Sequence, residues 1–240
     1  MKLIFAGAST DDCLLAIREI CASRPKIFCP PALNLVVEQL SALSNFETAE
    51  IFLREYGINK EDCYSIFRQL ISKVLMSKIP EGCHKTIETS YQNYMFYPKL
   101  YQLFPEAEFI FFLRDGRDVV ASELKSKNEL NPEAIQTEEV RDCAIKWLNS
   151  IGTGLNGIVE IKSLGASTNI IKYEDLCNPS LNKSIIPSIS NSKENIAVDS
   201  DLKQHTNQWR TVFNQEHIKV LRDELDEVLE QMGYLKNSPW

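Results

Sequence analysis

One apolar run near the middle of the chain limits the fold more than any other feature. Residues 109–113 place five large apolar side chains in succession, without the alternation of a strand that has one face in water. Such a run is typical of a strand buried on both faces, as in parallel sheets whose two sides are covered by helices. The run has the length of a strand and falls far short of the roughly 18 apolar residues needed to cross a bilayer.

Strand and helix patterns alternate along the rest of the chain. Apolar stretches at residues 2–7, 108–113 and 168–173 predict buried strands, and apolar residues at helical spacing predict helices. This alternation predicts an α/β fold of three layers, in which a central, mainly parallel sheet is flanked by helices. We expect one domain over residues 1–240, with its ligand at the carboxyl ends of the strands. The predicted helices cover residues 11–22, 32–43, 60–77, 93–104, 136–157 and 215–232, and a further helix begins near Arg117.

Composition excludes several classes of protein. The chain has 26 Lys and Arg against 33 Asp and Glu, a net charge of −7 that argues against a general nucleic-acid-binding protein. Its seven cysteines are scattered and include no CxxC pair, which predicts reduced thiols, a cytoplasmic location and no zinc site. The apolar start of the chain is short for a signal peptide and is followed at once by Asp11 and Asp12, so we predict no membrane association. The sequence does not indicate an oligomeric state.

A charged turn follows the central strand. Arg114 stands where the strand ends, and Ser122 follows eight residues later, inside the next predicted helix. An arginine fork and a serine hydroxyl that meet at one point suit a phosphate group. The alternative is a network of surface charges at a turn, and spacing alone does not decide between the two. That network would consist of Arg114, Asp115, Arg117 and Asp118.

This segment resembles the 3′-phosphate-binding motif of sulfotransferases that use 3′-phosphoadenosine 5′-phosphosulfate (PAPS). In that family a strand ends in Arg-Asp-Pro-Arg-Asp, with a Ser eight residues after the first Arg, and Gly116 stands here in place of the usual Pro. The resemblance implies the P-loop NTPase-like sulfotransferase fold. A P-loop kinase is disfavoured because the sequence contains no Gly-x-x-x-x-Gly-Lys-[Ser/Thr]. Three further stretches resemble segments of the family in the same order: Lys85-Thr86, residues 171–176 and residues 208–210.

The resemblance also implies which residues would bind PAPS or its product, adenosine 3′,5′-bisphosphate. Arg114 and Ser122 would contact the 3′-phosphate. Trp209 and Arg210 would lie near the adenine nucleotide, with Arg210 adding charge at the same phosphate. For Trp209 the alternative is simple packing in the core. The stretch at residues 173–176 resembles a structural segment of the family and receives no catalytic role.

The loop after the first strand departs from the family pattern Arg-Ser-Gly-Thr-Thr-Leu. Aligned on the Leu, Ser9 stands at the basic position, Asp11 at the Gly and Asp12 at a Thr, while Thr10 keeps a hydroxyl. Backbone amides at a helix N-terminus attract anions, but two carboxylates would offset the roughly +0.5 charge found there. The pattern therefore favours a self-capped helix, with Ser9 or Thr10 as the N-cap, over an open phosphosulfate site.

Candidates for catalysis cluster near residue 85. By the resemblance, Lys85 stands where the family has a Lys at a strand end, and its ammonium would meet the charge that develops on the leaving oxygen. Glu88 and His84 are candidates for the general base, and His205 is a third. We favour Glu88, which we expect on a loop into the crevice, because adjacent strand residues face opposite sides and His84 would point away from Lys85.

These features together predict an enzyme, a PAPS-dependent sulfotransferase that acts on a hydroxyl or amine of a small-molecule acceptor and needs no metal. The altered loop at residues 9–13 leaves an alternative. In that alternative, a protein with the sulfotransferase fold has lost sulfuryl transfer and binds a nucleotide or a partner, or performs other chemistry in the same crevice. Nothing in the sequence identifies the acceptor. Residues 178–202 are rich in Ser, Asn, Pro and Lys, a composition that predicts a mobile loop.

Overall fold

The computed structural model describes residues 1–22, 24, 26–31, 34–48, 50–127, 135–176 and 206–240. The predicted loop at residues 178–202 and the candidate base His205 lie outside the described residues. Two compact units are present, one formed by residues 1–112 with 153–171 and the other by residues 113–152 with 172–240. The single domain predicted over residues 1–240 stays a prediction.

A five-stranded sheet forms the centre of the fold, in the order β2-β3-β1-β4-β5. The pairs β1–β3, β1–β4 and β2–β3 are parallel, so the carboxyl ends of these strands lie at one edge of the sheet. The predicted α/β fold with a mainly parallel sheet is confirmed. The strands are β1 (Lys2–Ala8), β2 (Ile27–Phe28), β3 (Lys85–Glu88), β4 (Glu108–Leu113) and β5 (Ser167–Lys172).

Helices follow or connect the strands, mostly where the sequence predicts them. Asn59 and Asp62 form a capping box at the start of the helix after residue 59, in which each side chain accepts from the other residue's backbone N–H. The helices are α1 (Asp11–Ala22), α2 (Leu35–Thr48), α3 (Glu50–Glu55), α4 (Lys60–Met76), α5 (Tyr97–Leu103), α6 (Gly116–Lys127), α7 (Thr137–Ser163), α8 (Tyr173–Leu176), α9 (Trp209–Val212), α10 (Gln215–Gln231) and α11 (Tyr234–Asn237), with a 3₁₀ helix at Tyr91–Phe96.

Strand β5 is predicted to be buried, but it lies at the edge of the sheet. Most of its side chains are exposed or half-buried, with Ile170 48% exposed.

The structure corrects two further local predictions. The helix predicted at residues 93–104 is divided, because a 3₁₀ helix covers Tyr91–Phe96 and Pro98 then stands in the first turn of α5. Lys85 is the first residue of β3, although the resemblance implies a Lys at the end of a strand. Glu88 is the last residue of β3 and does not lie on a loop. The last of these corrections decides where the candidate catalytic groups lie.

The core around β1 and β4 is aromatic and tightly packed. All six residues of β4 are buried, as the apolar run predicts. Phe109 stacks on Phe5 at 5.8 Å between ring centroids and meets the ring of Tyr97 edge-on at the same distance. Gly7 is required in β1 because a Cβ there would lie 2.6 Å from the Tyr97 hydroxyl. Within the described ranges, no helix has the length and apolar character needed to cross a membrane.

Candidate functional site

Ser9 and Thr10 lie at the N-terminus of α1, just beyond the carboxyl end of β1. The backbone N–H of Ser9 donates to the carbonyl of Phe112 at 3.3 Å, which holds the loop against the end of β4. The Ser9 Oγ is buried and has no hydrogen-bond partner among the described residues. Ser9 is therefore not the predicted N-cap of α1. Thr10 Oγ1 lies 3.5 Å from the sulfur of Cys13, inside the first turn.

Arg18 supplies the positive charge that the loop itself lacks. Its Nη2 donates to the Asp11 carboxylate at 3.2 Å and to the carbonyl of Thr89 at 2.7 Å, and its Nε donates to Thr89 Oγ1 at 3.0 Å. The Asp11 side chain is 56% exposed and is held along the helix by this pair. At least one of the two loop carboxylates is thus neutralised by a partner on α1. The sequence reasoning missed Arg18, although its spacing of seven residues from Asp11 places both on one helix face.

Glu88 ends β3 and is only 4% exposed. Its Oε1 accepts from the backbone N–H of Ser90 at 3.1 Å and from the Ser90 hydroxyl at 2.5 Å, and its Oε2 accepts from the side-chain amide of Asn93. Burial raises the pKa of Glu88 above its ordinary value, and the hydrogen bonds from Ser90 and Asn93 oppose that rise. A carboxylate has about four acceptor positions, so one position on Oε2 receives no hydrogen bond from the described residues.

Glu88 also forms part of the wall of an apolar pocket of about 340 Å³. That volume falls within the range of small-molecule sites, about 300–1,000 Å³. A mostly apolar wall with a few polar groups is the arrangement that positions a polar group of a small ligand, and the polar residues of this wall are Glu88, Ser77 and Lys78. The other lining residues are Phe28, Pro30, Pro31, Val36, Val74, Leu75, Ser77 and Lys78.

Lys85 and His84 lie at the opposite edge of the sheet. Lys85 pairs with Lys2 at the amino end of β3, and three residues separate it from Glu88, which is about 10 Å along a strand. The Lys85 pKa is lowered, first by burial and then by the positive charge of Lys2. His84 is exposed, and its carbonyl accepts from the N–H of Lys2. The structure therefore does not bring Lys85 or His84 together with Glu88.

In the other compact unit, the charged turn after β4 is buried. Arg114 and Arg117 are 0% exposed, Asp115 is 3% exposed and Asp118 is 2% exposed. The alternative of a surface charge network is therefore wrong. Such charges are stable in a protein interior only when they are paired and hydrogen-bonded. The charged turn is therefore part of the protein interior and is not a solvated connection between a strand and a helix.

Arg117 is the centre of that interior structure. Its Nε and Nη2 donate to the two carboxylate oxygens of Asp115, at 3.0 and 2.6 Å. Its guanidinium lies 4.5 Å from the ring centroid of Trp209 and 4.8 Å from that of Trp240. The Arg117 Nη1 is buried and has no hydrogen-bond partner in the described part of the chain. Asp118 accepts the backbone N–H of Trp209 at 3.1 Å, which ties α6 to α9.

Arg114 and Ser122 occupy the two ends of the segment that resembles a phosphate motif. Arg114 follows β4 directly, and its guanidinium lies 5.2 Å from the ring centroid of Tyr173. Ser122 is half-buried, six residues into α6, or about 9 Å along the helix axis from Gly116. The departure from the family's Pro has a packing reason, because a Cβ at Gly116 would lie 2.8 Å from the indole of Trp147.

Trp209 and Arg210 differ sharply in exposure. Trp209 is 1% exposed and meets Trp240 edge-on, with 5.6 Å between ring centroids, so it packs in the core as the alternative interpretation expects. Arg210 is exposed, and its guanidinium lies 4.3 Å from the Trp209 ring centroid. It also donates to Ser238 Oγ at 3.4 Å and to the carbonyl of Pro239. Arg210 thus stabilises the segment that carries Trp240.

Glu174 links the short helix α8 to the charged turn. Its Oε1 accepts the backbone N–H of Asp115 at 2.9 Å, and its Oε2 is buried without a hydrogen-bond partner among the described residues. The pKa of Glu174 is raised to about 7, mainly by burial and in smaller part by the nearby carboxylates of Asp115 and Asp118, while the backbone hydrogen bonds oppose the rise. These contacts agree with the structural role that the resemblance implies for residues 173–176.

Comparison with known proteins supports the same family. Residues 16–180 match the model described as the Sulfotransferase family. A protein-tyrosine sulfotransferase from Drosophila melanogaster is 26% identical over 158 residues, which cover 63% of this chain. The matched region spans only 30% of that relative, or about a third of its length.

Two solved structures share the fold. The sulfotransferase from Alicyclobacillus acidocaldarius aligns with a TM-score of 0.52 and 13% identity, over 93% of this chain and 95% of that one. The sulfotransferase domain from the curacin biosynthetic pathway aligns with a TM-score of 0.53 and 13% identity, over 94% and 97% of the two chains. At this identity the likeness concerns the fold alone.

Proposed function

Because this chain belongs to the sulfotransferase family, we propose that it transfers the sulfuryl group of PAPS to a hydroxyl group of a small acceptor held beside Glu88. The observation that carries the proposal is the place of Glu88. It is a buried carboxylate with a raised pKa and one open acceptor position, set in the wall of an apolar pocket. A general base needs an open acceptor position to contact the acceptor hydroxyl, and it needs a raised pKa to hold the proton of that hydroxyl near neutral pH.

The N-terminus of α1 fits the anionic end of PAPS. The Ser9 Oγ is a buried hydroxyl without a protein partner in the described ranges, and it could donate a hydrogen bond to a phosphate or sulfate oxygen. Helix N-termini bind such anions through their backbone N–H groups. Arg18 holds the Asp11 carboxylate along the helix, which reduces the repulsion that this side chain would exert on an anion. When bound, PAPS supplies the activated sulfuryl group.

Arg114 and Ser122 are the residues proposed for the 3′-phosphate. Arg114 is pre-positioned because it directly follows β4 and because the ring of Tyr173 supports its guanidinium. The rigid Asp115–Arg117 pair fixes the turn between Arg114 and α6. An arginine that is already desolvated binds phosphate more strongly than an exposed one, because less water is displaced on binding.

Glu88 would accept the proton of the acceptor hydroxyl at Oε2. Ser90 and Asn93 orient the carboxylate at the edge of the mostly apolar pocket. The pocket favours an apolar or aromatic alcohol over a charged amine, because an ammonium would be costly to desolvate there. The name of the Drosophila melanogaster relative adds a tyrosine phenol to the acceptors worth testing.

The test is transfer of radiolabelled sulfate from PAPS to a panel of phenols, aliphatic alcohols, amines and tyrosine-containing peptides. We expect phenols or apolar alcohols to be labelled. Glu88→Gln should reduce kcat by about 10²-fold or more, as removal of a general base does. Glu81→Gln, at an exposed residue before β3, is the matched control and should leave kcat unchanged. Wild-type rates in the Glu88→Gln variant would contradict the proposed role of Glu88.

A second candidate is nucleotide binding without sulfuryl transfer. The positions of Ser9 and Lys85 favour it, since Ser9 replaces the family's basic residue and Lys85 lies at the amino end of β3. Titration with adenosine 3′,5′-bisphosphate, combined with the transfer assay, would separate the candidates. Binding of that nucleotide, with no labelled product from any acceptor class, would support the second candidate over the first.

A further inference from the structure

Thr89 is the first residue beyond β3, and Arg18 on α1 holds it. The pairing of β3 with β1 ends at Glu88, so the carbonyl of Thr89 lies beyond the paired residues. Thr89 is fully buried, and a buried carbonyl needs a donor. Arg18 supplies one, because its Nη2 donates to that carbonyl at 2.7 Å while its Nε donates to the Thr89 hydroxyl at 3.0 Å. Two donors of one guanidinium therefore fix both the backbone and the side chain of Thr89.

The segment that Arg18 holds, residues 88–93, also contains Glu88 and the side chains that orient its carboxylate. One of these, Asn93, is fully buried. Its amide nitrogen donates both to Glu88 Oε2 and to the carbonyl of Ala6 in β1, the latter at 3.0 Å. The segment is thus attached to β1 through Asn93 and to α1 through Arg18.

The other partner of Arg18 lies at the N-terminus of α1, where the anionic end of PAPS is proposed to bind. Arg18 follows Asp11 by seven residues on the same helix, and its Nη2 donates to the Asp11 carboxylate at 3.2 Å. The Arg18 side chain is 22% exposed, so these charge-assisted hydrogen bonds form in a partly desolvated place. One guanidinium therefore contacts both the donor-binding end of α1 and the residue next to the candidate base.

We propose that Arg18 is a positioning residue for sulfuryl transfer, which sets the place of Glu88 relative to the PAPS-binding end of α1. This role rests on the proposed function. Sulfuryl transfer requires the acceptor oxygen and the donor sulfur to meet in line, and an error of about 1 Å in such an arrangement can cost about 10²-fold in rate. In this role Arg18 touches neither PAPS nor the acceptor and acts through Thr89.

The charge of Arg18 has a second, measurable effect on Glu88. Burial raises the Glu88 pKa most, its hydrogen bonds oppose the rise, and the positive charge of Arg18 lowers the pKa further. The charge thereby keeps the base ionised at a lower pH than it would be without the arginine. Cys29 and Tyr97 also interact electrostatically with Glu88, and Lys78 lies in the pocket wall. These three groups are unchanged in variants of Arg18.

Arg18→Gln and Arg18→Lys separate position from charge. Both lose the two-donor hold on Thr89, so kcat at saturating PAPS should fall by about 10- to 100-fold in each, with little change in the KM for the acceptor. Arg18→Lys keeps the positive charge, so the acidic limb of its kcat/KM profile should stay at the wild-type pH. In Arg18→Gln that limb should move to higher pH, because the Glu88 pKa rises when the charge is lost.

Glu19→Gln, at the next and exposed position of α1, is the matched control and should equal wild type in both measurements. Urea unfolding first shows that each variant is folded. Wild-type kcat in folded Arg18→Gln and Arg18→Lys would overturn the role of Arg18 and leave the proposed function standing. An unmoved acidic limb in Arg18→Gln would overturn the role too, since a loss of rate without that shift is ordinary structural damage. Absence of transfer by the wild-type chain would overturn the proposed function, and the role of Arg18 with it.

Discussion

Glu174 should make the chain less stable as the pH rises from about 5 to about 8. Its Oε2 is buried without a hydrogen-bond partner among the described residues, and its pKa is raised to about 7 from an ordinary value of 4.5. Glu174→Gln removes the titration but keeps an oxygen that accepts the N–H of Asp115. The substitution therefore tests the buried charge and preserves the hydrogen bond.

The direction in which the free energy of unfolding changes with pH follows from proton binding. Between about pH 4.5 and 7 the folded chain holds a proton on Glu174 that the unfolded chain has released, so the free energy of unfolding falls as the pH rises through this range. At about 1.4 kcal/mol for each pKa unit, the rise from 4.5 to about 7 corresponds to at most about 3.5 kcal/mol. The figure is an upper limit because the residue as a whole is half-buried.

Urea unfolding at about pH 5, 6, 7 and 8 measures this effect. Relative to wild type, Glu174→Gln should gain stability progressively with pH, by up to about 3.5 kcal/mol at pH 8. Glu160→Gln, at an exposed position in α7, is the matched control and should follow the wild-type curve at every pH. Other buried carboxyls titrate equally in both chains, so the difference isolates Glu174. A constant difference between wild type and Glu174→Gln would refute the reasoning.

Two further predictions concern the charged turn. Gly116→Ala should destabilise the chain by about 1–3 kcal/mol in thermal unfolding, because the added Cβ would lie 2.8 Å from an indole ring, whereas Gly152→Ala meets nothing within 4 Å and should be neutral or slightly stabilising. Arg117→Lys should cost about 2–4 kcal/mol in urea unfolding, since lysine cannot keep the two bonds to Asp115 or the stacking on the rings. The control Arg141→Lys changes a half-buried arginine whose ion pairs lie near the surface, and it should cost clearly less than Arg117→Lys; equal losses in the two lysine variants would contradict the role of Arg117.

The fold could be predicted from the sequence where the elements are long or strongly apolar. The runs at 2–8 and 108–113 are buried strands, and the patterns at 11–22 and 215–231 are helices within one or two residues of their predictions. Strands β2 and β3 have only two and four residues, too few to show a periodicity. Their places in the sheet follow from the pairing of β3 with β1 and of β2 with β3, which local sequence does not encode.

The candidate site was predictable in part. The segment from Arg114 to Ser122 was identified by its spacing, but four charged residues at a turn have the same sequence signal whether they face water or the core. Their burial depends on Trp209 and Trp240, which are distant in the chain. Tertiary packing of this kind overrides a local prediction of exposure.

The cation near the first loop was missed for a related reason. Ser9 stands at the position where the family has its basic residue. In the fold, Arg18 reaches back from the second half of α1 and binds both Asp11 and Thr89. A side chain two helical turns away belongs to the same surface patch, which a comparison position by position does not detect.

The central claim is that this chain binds PAPS, and calorimetric titration with adenosine 3′,5′-bisphosphate tests it most directly. We predict that the wild-type chain binds this nucleotide and that Arg114→Ala weakens binding by about 2–4 kcal/mol, or about 30- to 700-fold, through loss of a desolvated charge-assisted contact. Arg68→Ala, at an exposed residue, should bind like wild type. Absence of binding by the wild-type chain, or equal affinity in a folded Arg114→Ala variant, would contradict the account.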